Sequence, residues 1–203
     1  MALETEVKFY PVDLDRVRAC CQEAGGEGLG RYLERNEVFD TVDRALRDRD
    51  ILLRLRQERG QGAKLTLKLA SHDFQGEKAV QAKICEEYEV GVAEVGSMAS
   101  ILTGLGYKMV FRYEKIRETW RLGRVLVCLD RLPFGDYLEL EGPLADLKSV
   151  AGLLGFVWQA AITATYHALQ REQHRQAGLS LEESFVFSSG DPRIAAIDDS
   201  EAE

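Results

Sequence analysis

The chain has 203 residues, of which 45% are hydrophobic and 30% charged, and a net charge of −8 at pH 7. That is enough chain and apolar content for one domain with a sizeable core, and the acidic balance argues against a general nucleic-acid binder, which carries a basic excess. No apolar run approaches a membrane span, and the Met1 end alternates like a strand instead of leading a basic segment into an apolar one. No signal peptide, no membrane partner and a cytoplasmic location are therefore expected. Cys20, Cys21, Cys85 and Cys128 lack C-x-x-C spacing and read as reduced, mostly packed thiols.

A strand sends alternate side chains to opposite faces, so from Leu3 to Phe9 the residues Glu4, Glu6 and Lys8 share one face and Leu3, Thr5, Val7 and Phe9 the other. Alone, this would be a charged face turned to water. Pro11 stops the strand, and Asp13 is placed to cap a helix carrying Leu14, Val17, Cys21 and Ala24 at helical spacing. Gly25-Gly26-Glu27-Gly28-Leu29-Gly30 trails that helix, whereas phosphate-cradling glycine loops precede one, so it reads as a helix stop and linker.

Tyr32 to Thr41 is predicted as the second strand, followed by a polar turn from Asp43 to Asp50. The third, Ile51 to Arg56, puts Arg54 and Arg56 on one face. A turn at Arg59-Gly60-Gln61-Gly62 leads into the fourth, Lys64 to Leu69, with Lys64, Thr66 and Lys68 on its polar face. Ser71-His72-Asp73 has the residue types of a nucleophilic triad, but three consecutive residues cannot form the hydrogen-bonded relay, so it reads as a loop. Cys85 to Val92 is the fifth strand, carrying Glu87 and Glu89. Glu94 to Leu105 is a helix with Val95, Met98, Ile101 or Leu102, and Leu105 along one stripe, stopped by Gly104 and Gly106. The order acidic strand, helix, glycine stop, strand thus occurs at residues 3–40 and again at 86–120, as two similar halves of one closed sheet would show.

Lys108 to Leu122 is a long strand bearing Lys115 and Arg117. Val125 to Asp130 returns after Gly123, and Tyr137 to Gly142 carries Glu139 and Glu141. Pro143 opens a helix with Leu144, Leu147, Val150, Ala151 and Leu154, closed by Gly155. Ala160 to Gln176 is predicted as the last helix, with His167 and His174 as a solvated pair. From Gly178 onward the chain is acidic and aperiodic, as a mobile tail would be, although Phe185-Val186-Phe187 could dock on the body. The expected division is a tunnel domain over residues 1–176 and an acidic tail over 177–203.

Strand after strand thus offers one apolar face and one face of fixed charge, which a closed barrel explains. The expected fold class is α+β, a closed β-barrel with flanking helices. A lumen of mixed carboxylates and cations suits a polyanion escorted by a divalent metal. Burying so many charges only to pair them is costly, so a purely structural purpose is the weaker account. Lys64, Arg112, Glu86 and Glu114 fall where solvent is expected.

Glu4-x-Glu6-x-Lys8 resembles the opening of the CYTH superfamily, the triphosphate tunnel metalloenzymes that include class IV adenylyl cyclases, thiamine triphosphatases and inorganic tripolyphosphatases. The likeness continues in order through Asn36-x-x-Phe39-Asp40-Thr41, Leu53-Arg54-Leu55-Arg56, Leu65-Thr66-Leu67-Lys68, Glu87-x-Glu89, Lys115-x-Arg117, Val127-Cys128-Leu129-Asp130, Leu138-Glu139-Leu140-Glu141-Gly142 and Thr165-Tyr166-x-x-Leu169. The resemblance implies an eight-stranded antiparallel closed β-barrel, a tunnel that binds a triphosphate along its lumen, with Mg²⁺ or Mn²⁺ held by Glu4, Glu6, Asp130, Glu139 and Glu141. It implies triphosphate oxygens gripped by Lys8, Arg54, Arg56, Lys68, Lys115 and Arg117, with Glu4, Glu6 and Lys8 at the centre of the chemistry. Cys85 stands where many relatives carry Arg, which leaves the roles of Glu87 and Glu89 open and makes Lys83 or Lys78 candidates for the missing charge. The implied substrate is a small-molecule triphosphate: tripolyphosphate, ATP or thiamine triphosphate. Hydrolysis is the leading expectation. A class IV adenylyl cyclase and a non-catalytic polyphosphate or nucleotide binding module are the alternatives, and a homodimer through the barrel wall is compatible with each.

Overall fold

The computed structural model describes residues 2–60, 62–70, 82–180 and 183–198. Ser71-His72-Asp73 and Lys78 lie outside them. The elements run β1 (Ala2–Phe9), α1 (Leu14–Glu23), β2 (Glu27–Asp40), β3 (Ile51–Glu58), β4 (Gly62–Ala70), β5 (Lys83–Val92), α2 (Val95–Gly104), β6 (Lys108–Leu122), β7 (Val125–Leu132), β8 (Gly135–Glu141), α3 (Leu144–Leu153), α4 (Tyr166–Ala177) and α5 (Pro192–Asp198). The eight strands close into one barrel in the order β1-β5-β4-β3-β2-β6-β7-β8, with every neighbouring pair antiparallel. Replacing each strand by the one four places along the chain returns the same ring. The two halves suggested by the sequence are therefore interchangeable parts of one closed sheet.

Closure sorts the two faces of every strand. The apolar face points outward and is covered by helices: Val7, Phe9, Val127, Leu138 and Leu140 pack against Leu14, Val17 and Cys21 of α1 and Leu147, Val150 and Ala151 of α3. On the opposite wall, Phe39, Leu53 and Leu55 meet Leu102 of α2. Asp13 caps α1 as its position predicts, its carboxylate accepting the backbone N–H groups of Asp15 and Arg16, both at 3.1 Å. The hydrophobic core is thus a shell between wall and helices, and the charged faces are left to the inside. No helix among the described residues is long and apolar enough to cross a membrane.

Four local expectations are corrected. Gly28 and Gly30 are not a linker but the start of β2, pairing with Trp120 and Thr119 of β6 across a register shift, and Gly30 takes φ 109°, which a glycine accommodates freely. On α2 only Leu102 is buried, while Ile101 and Leu105 are exposed. The last long helix begins at Tyr166, with Thr165 as N-cap, because Ile162 is extended and exchanges two backbone hydrogen bonds with Lys8 (2.9 and 2.8 Å). The segment after Gly178 is docked rather than free from Glu183 to Ile197. Phe185 bridges to β6 through backbone bonds to Arg112 and Glu114, and Phe187 and Ile197 are buried against Leu33 and Ile116.

Phe185 packs edge-on to Phe134 (5.1 Å between ring centroids) and beside Tyr113 (5.2 Å). Phe185→Ala is expected to cost about 3 kcal/mol by emptying that site. Chemical denaturation checks this; a loss under about 0.5 kcal/mol would show that the segment is not part of the folded unit.

Candidate active site

The ring order gives the lumen two opposed arcs. Adjacent strands β8, β1 and β5 present Glu139, Glu141, Glu4, Glu6, Glu87 and Glu89, whereas β4, β3 and β6 present Lys64, Lys68, Arg54, Arg56, Lys115 and Arg117. All of these, with Lys8, line one cavity of about 640 Å³. Asp130 alone of the candidate residues does not line it. It is fully buried behind the basic arc, taking Arg117 Nε at 2.7 Å, Lys115 Nζ at 3.1 Å and the Tyr166 hydroxyl at 2.7 Å. In this conformation its oxygens orient the bases and are not presented to the cavity.

Strand register decides which charges meet. Lys8 lies opposite Glu139 and pairs with it at 3.0 Å while also donating to Glu6 at 2.9 Å. Burial would raise the Glu6 carboxyl, but Lys8 and Lys83 outweigh that and the repulsion from Glu139, taking it down to about 2. Glu139 is likewise held far below the usual range, since Lys8 and Arg117 overcome the effect of burial. The register also sets Glu6 directly opposite Glu141, and like charges across a strand pair are unfavourable. Burial, then the nearby Glu4 and Glu139 charges, push the Glu141 carboxyl up to about 7, and Arg117 and Lys68 offset this only in part. Glu141 is therefore an under-compensated carboxylate on the β8 side of the acidic arc.

Cys85 fills the position of the expected arginine and faces inward, its thiol donating to Glu4 Oε2 at 3.1 Å and pushed up to about 12 by burial and by Glu4. Two residues earlier on the same face, Lys83 pairs with Glu6 at 3.0 Å, so a positive charge stands beside Cys85 on β5. Lys68 donates to Glu4 and lies 3.3 Å from Glu87, while Glu89 accepts from the Thr66 hydroxyl at 2.8 Å. Lys64, expected in solvent, has a side chain 42% exposed but also lines the cavity, 3.7 Å from Glu58. Glu114, expected there too, is instead mostly covered, accepting the Phe187 N–H at 3.1 Å while pairing with Arg35.

Sequence reasoning missed the acid at the heart of the basic arc. Glu34 is wholly buried, with Arg56 at 3.5 Å, Lys115 at 3.4 Å and Arg117 at 3.8 Å. Burial opposes its charge, but these cations hold its carboxyl well below the ordinary range. It also missed Glu58 beyond Arg56, Tyr113, whose hydroxyl accepts from Arg54 at 2.9 Å, and Tyr166, whose ring lies 5.0 Å from Lys8 Nζ and 5.5 Å from Lys115 Nζ. The signal for Glu34 was its place two residues before Asn36 on the inward face. Two buried donors of this arc, Arg54 Nε and Asn36 Nδ2, have no acceptor within the described residues. Unsatisfied buried donors are rare in folded proteins, and an acceptor-only ligand such as a phosphate chain would answer them.

A family profile described as "CYTH domain" matches residues 2–154. The chain belongs to the CYTH domain family. A Methanocaldococcus jannaschii protein named as a candidate adenylate cyclase is 27% identical over 148 residues, 72% of this chain and 80% of that one. Among solved structures, a Vibrio parahaemolyticus candidate adenylate cyclase is similar at a TM-score of 0.70 with 20% identity, over 83% of this chain and 97% of the other. A Hippeastrum candidate adenylyl cyclase, described as having a dominant triphosphatase activity, reaches a TM-score of 0.58 at 18% identity over 90% and 99% of the two chains. At these identities the structural likenesses establish the tunnel fold, and family membership places the chain in triphosphate-processing chemistry.

A divalent cation suits the donor set of this CYTH lumen. Carboxylate oxygens are the ligands that hard cations prefer, and the Glu141 carboxyl, only partly offset by Arg117 and Lys68, is one whose ionised form an added cation would favour. Among the described residues no three such side chains are already disposed as a metal site, because Glu6, Glu139 and Glu4 are turned onto Lys8, Lys83, Arg117 and Lys68.

Glu141 makes a signed prediction. Its carboxyl is raised in the fold, so between about pH 4.5 and 7 the native state binds more protons than the unfolded chain and stability falls as pH rises. Without metal, Glu141→Gln is expected to raise stability at pH 8 by up to roughly 3 kcal/mol and to leave it nearly unchanged at pH 4. Equal shifts at both pH values in thermal unfolding, or a loss at pH 8, would contradict the placement.

Proposed function

We propose that the protein is a divalent-metal-dependent enzyme that hydrolyses a triphosphate inside its tunnel, in the cytoplasm. The observation that carries this reading is the polarised lumen, in which cations face carboxylates across one tunnel cavity and Arg54 Nε has no acceptor among the described residues. Arg54, Arg56, Lys68, Lys115 and Arg117 would hold the phosphate oxygens, with guanidinium groups matching them bidentately. Lys8, buried between Glu6 and Glu139, would reach the phosphate nearest the acidic arc.

Glu4, Glu6, Glu139 and Glu141 would hold Mg²⁺ or Mn²⁺, with Asp130 completing the set only if it released the bases it now orients. When bound, such an ion neutralises charge on phosphate oxygens and lowers the pKa of a coordinated water. Phosphates draw Lys8, Lys68 and Arg117 off the acids they occupy in the free protein, so triphosphate and metal bind cooperatively. Glu4 is the nearby group to take the proton of the attacking water. Lys83 would keep Glu6 ionised, and Glu87 and Glu89 would position Lys68 and Lys64.

Cyclisation of ATP is the second reading, favoured by the cyclase names of the Methanocaldococcus and Vibrio relatives. It needs the same electrostatics with the substrate's own 3′-hydroxyl as nucleophile. Incubation with tripolyphosphate, ATP or thiamine triphosphate and Mg²⁺ or Mn²⁺ is expected to release orthophosphate without cyclic AMP. Glu4→Gln and Arg56→Ala should each lower kcat/KM by at least about 100-fold. Cyclic AMP with pyrophosphate would establish the second reading, and tight binding without turnover under either metal would make the protein a binding module.

A further inference from the structure

One mouth of the tunnel carries cations that the lumen set does not include. Arg44 and Arg47 lie on the loop between β2 and β3 and line the same cavity as the lumen bases. The loop is fixed from beneath: the buried Asp40 carboxylate accepts the N–H groups of Thr41 (2.7 Å), Leu46 (2.9 Å) and Arg47 (3.1 Å), and the Thr41 hydroxyl accepts that of Ala45 (2.9 Å). Arg44 is held at φ 63°, in the left-handed region that a non-glycine residue keeps only where its surroundings enforce it. The two guanidinium groups converge on one carboxylate, with Glu183 Oε2 accepting from Arg44 Nη2 at 2.5 Å and Glu183 Oε1 from Arg47 Nη1 at 3.4 Å. Beside them His167, stacked on Phe111 at 4.7 Å, keeps Nε2 buried with no hydrogen-bond partner among the described residues, so it is not the solvated residue expected from the sequence. Arg171 adds positive field at the same imidazole.

A carboxylate forked between two arginines, at the opening of a cation-lined tunnel, occupies the place of a phosphate group. We propose that Arg44 and Arg47 form a phosphate-binding site at the tunnel mouth, distinct from the lumen bases, and that Glu183 is its internal occupant, displaced by an incoming polyphosphate. The proposal rests on the triphosphate reading and adds to it a first docking point and a built-in competitor. Displacement is feasible because all three side chains are about a third to a half exposed, and ion pairs at such exposure are weak. The anchor of Glu183 does not have to move: Phe185 and Phe187 hold the segment to β6 by buried rings and backbone bonds.

Calorimetric titration with tripolyphosphate in the absence of divalent metal tests this without turnover. Glu183→Gln is expected to bind about two- to fivefold more tightly than the unmodified protein. Adding Arg44→Gln and Arg47→Gln should abolish that gain. Glu27→Gln, which removes an equal charge at the far end of β2 where Glu27 pairs with Arg121, should leave affinity unchanged. Unchanged or weaker binding by Glu183→Gln, a gain retained without the arginines, or an equal gain in Glu27→Gln would overturn the inference alone. No tripolyphosphate binding by the unmodified protein would overturn it together with the triphosphate reading.

Discussion

β1 has a hydrogen-bonded neighbour on each edge, β5 on one side and β8 on the other, and that double pairing governs the rest of the molecule. Once the ring is closed, Glu4, Glu6 and Lys8 cannot turn to bulk water, so their charge must be answered from within the lumen. The apolar face is correspondingly driven outward, where α1, α2 and α3 cover it. Such a barrel inverts the usual arrangement of an apolar interior. Its stability depends on the charged interior being nearly balanced, because removing one partner of a buried pair typically costs about 3–5 kcal/mol.

The balance is deliberate in its exceptions. Lys8 faces Glu139 and Arg117 faces Asp130, which are the cross-strand pairings a purely structural barrel would use. Glu6 faces Glu141, which such a barrel would avoid. The basic arc has the complementary defect, with donors on Arg54 and Asn36 left without acceptors among the described residues. On the proposed reading, one composite ligand would answer both, bringing positive charge to one arc and oxygen acceptors to the other. Glu34 explains how the basic arc survives without that ligand, since one buried carboxylate spaces Arg56, Lys115 and Arg117 and offsets part of their repulsion.

Much of this was legible because the strand period is strict. Alternation alone put Arg54 with Arg56, Lys115 with Arg117 and Glu139 with Glu141 on shared faces, and the order of these pairs carried the family resemblance. Glu34 escaped because the stretch from Arg31 to Glu37 carries charge at both parities, so alternation could not say which face was inward. The start of β2 escaped because glycines after a helix ordinarily stop it, whereas here pairing with the long β6 overrides local preference. The start of α4 was displaced because Ile162 is committed to Lys8, a contact between residues distant in sequence. The docking of Phe185 and Ile197 is long-range for the same reason, and acidic composition masked two apolar anchors.

The central claim is that the charges of the two arcs converge on one ligand with its metal inside the barrel. Its most direct test is a crystal structure of the protein with tripolyphosphate and Mn²⁺, with the metal located by anomalous scattering. The account predicts manganese against Glu141 and Glu6, and phosphate oxygens on Arg54, Arg56 and Lys115 within the lumen. Manganese and phosphate bound only on the outer surface, with Lys8 and Arg117 still paired to Glu139, would contradict it.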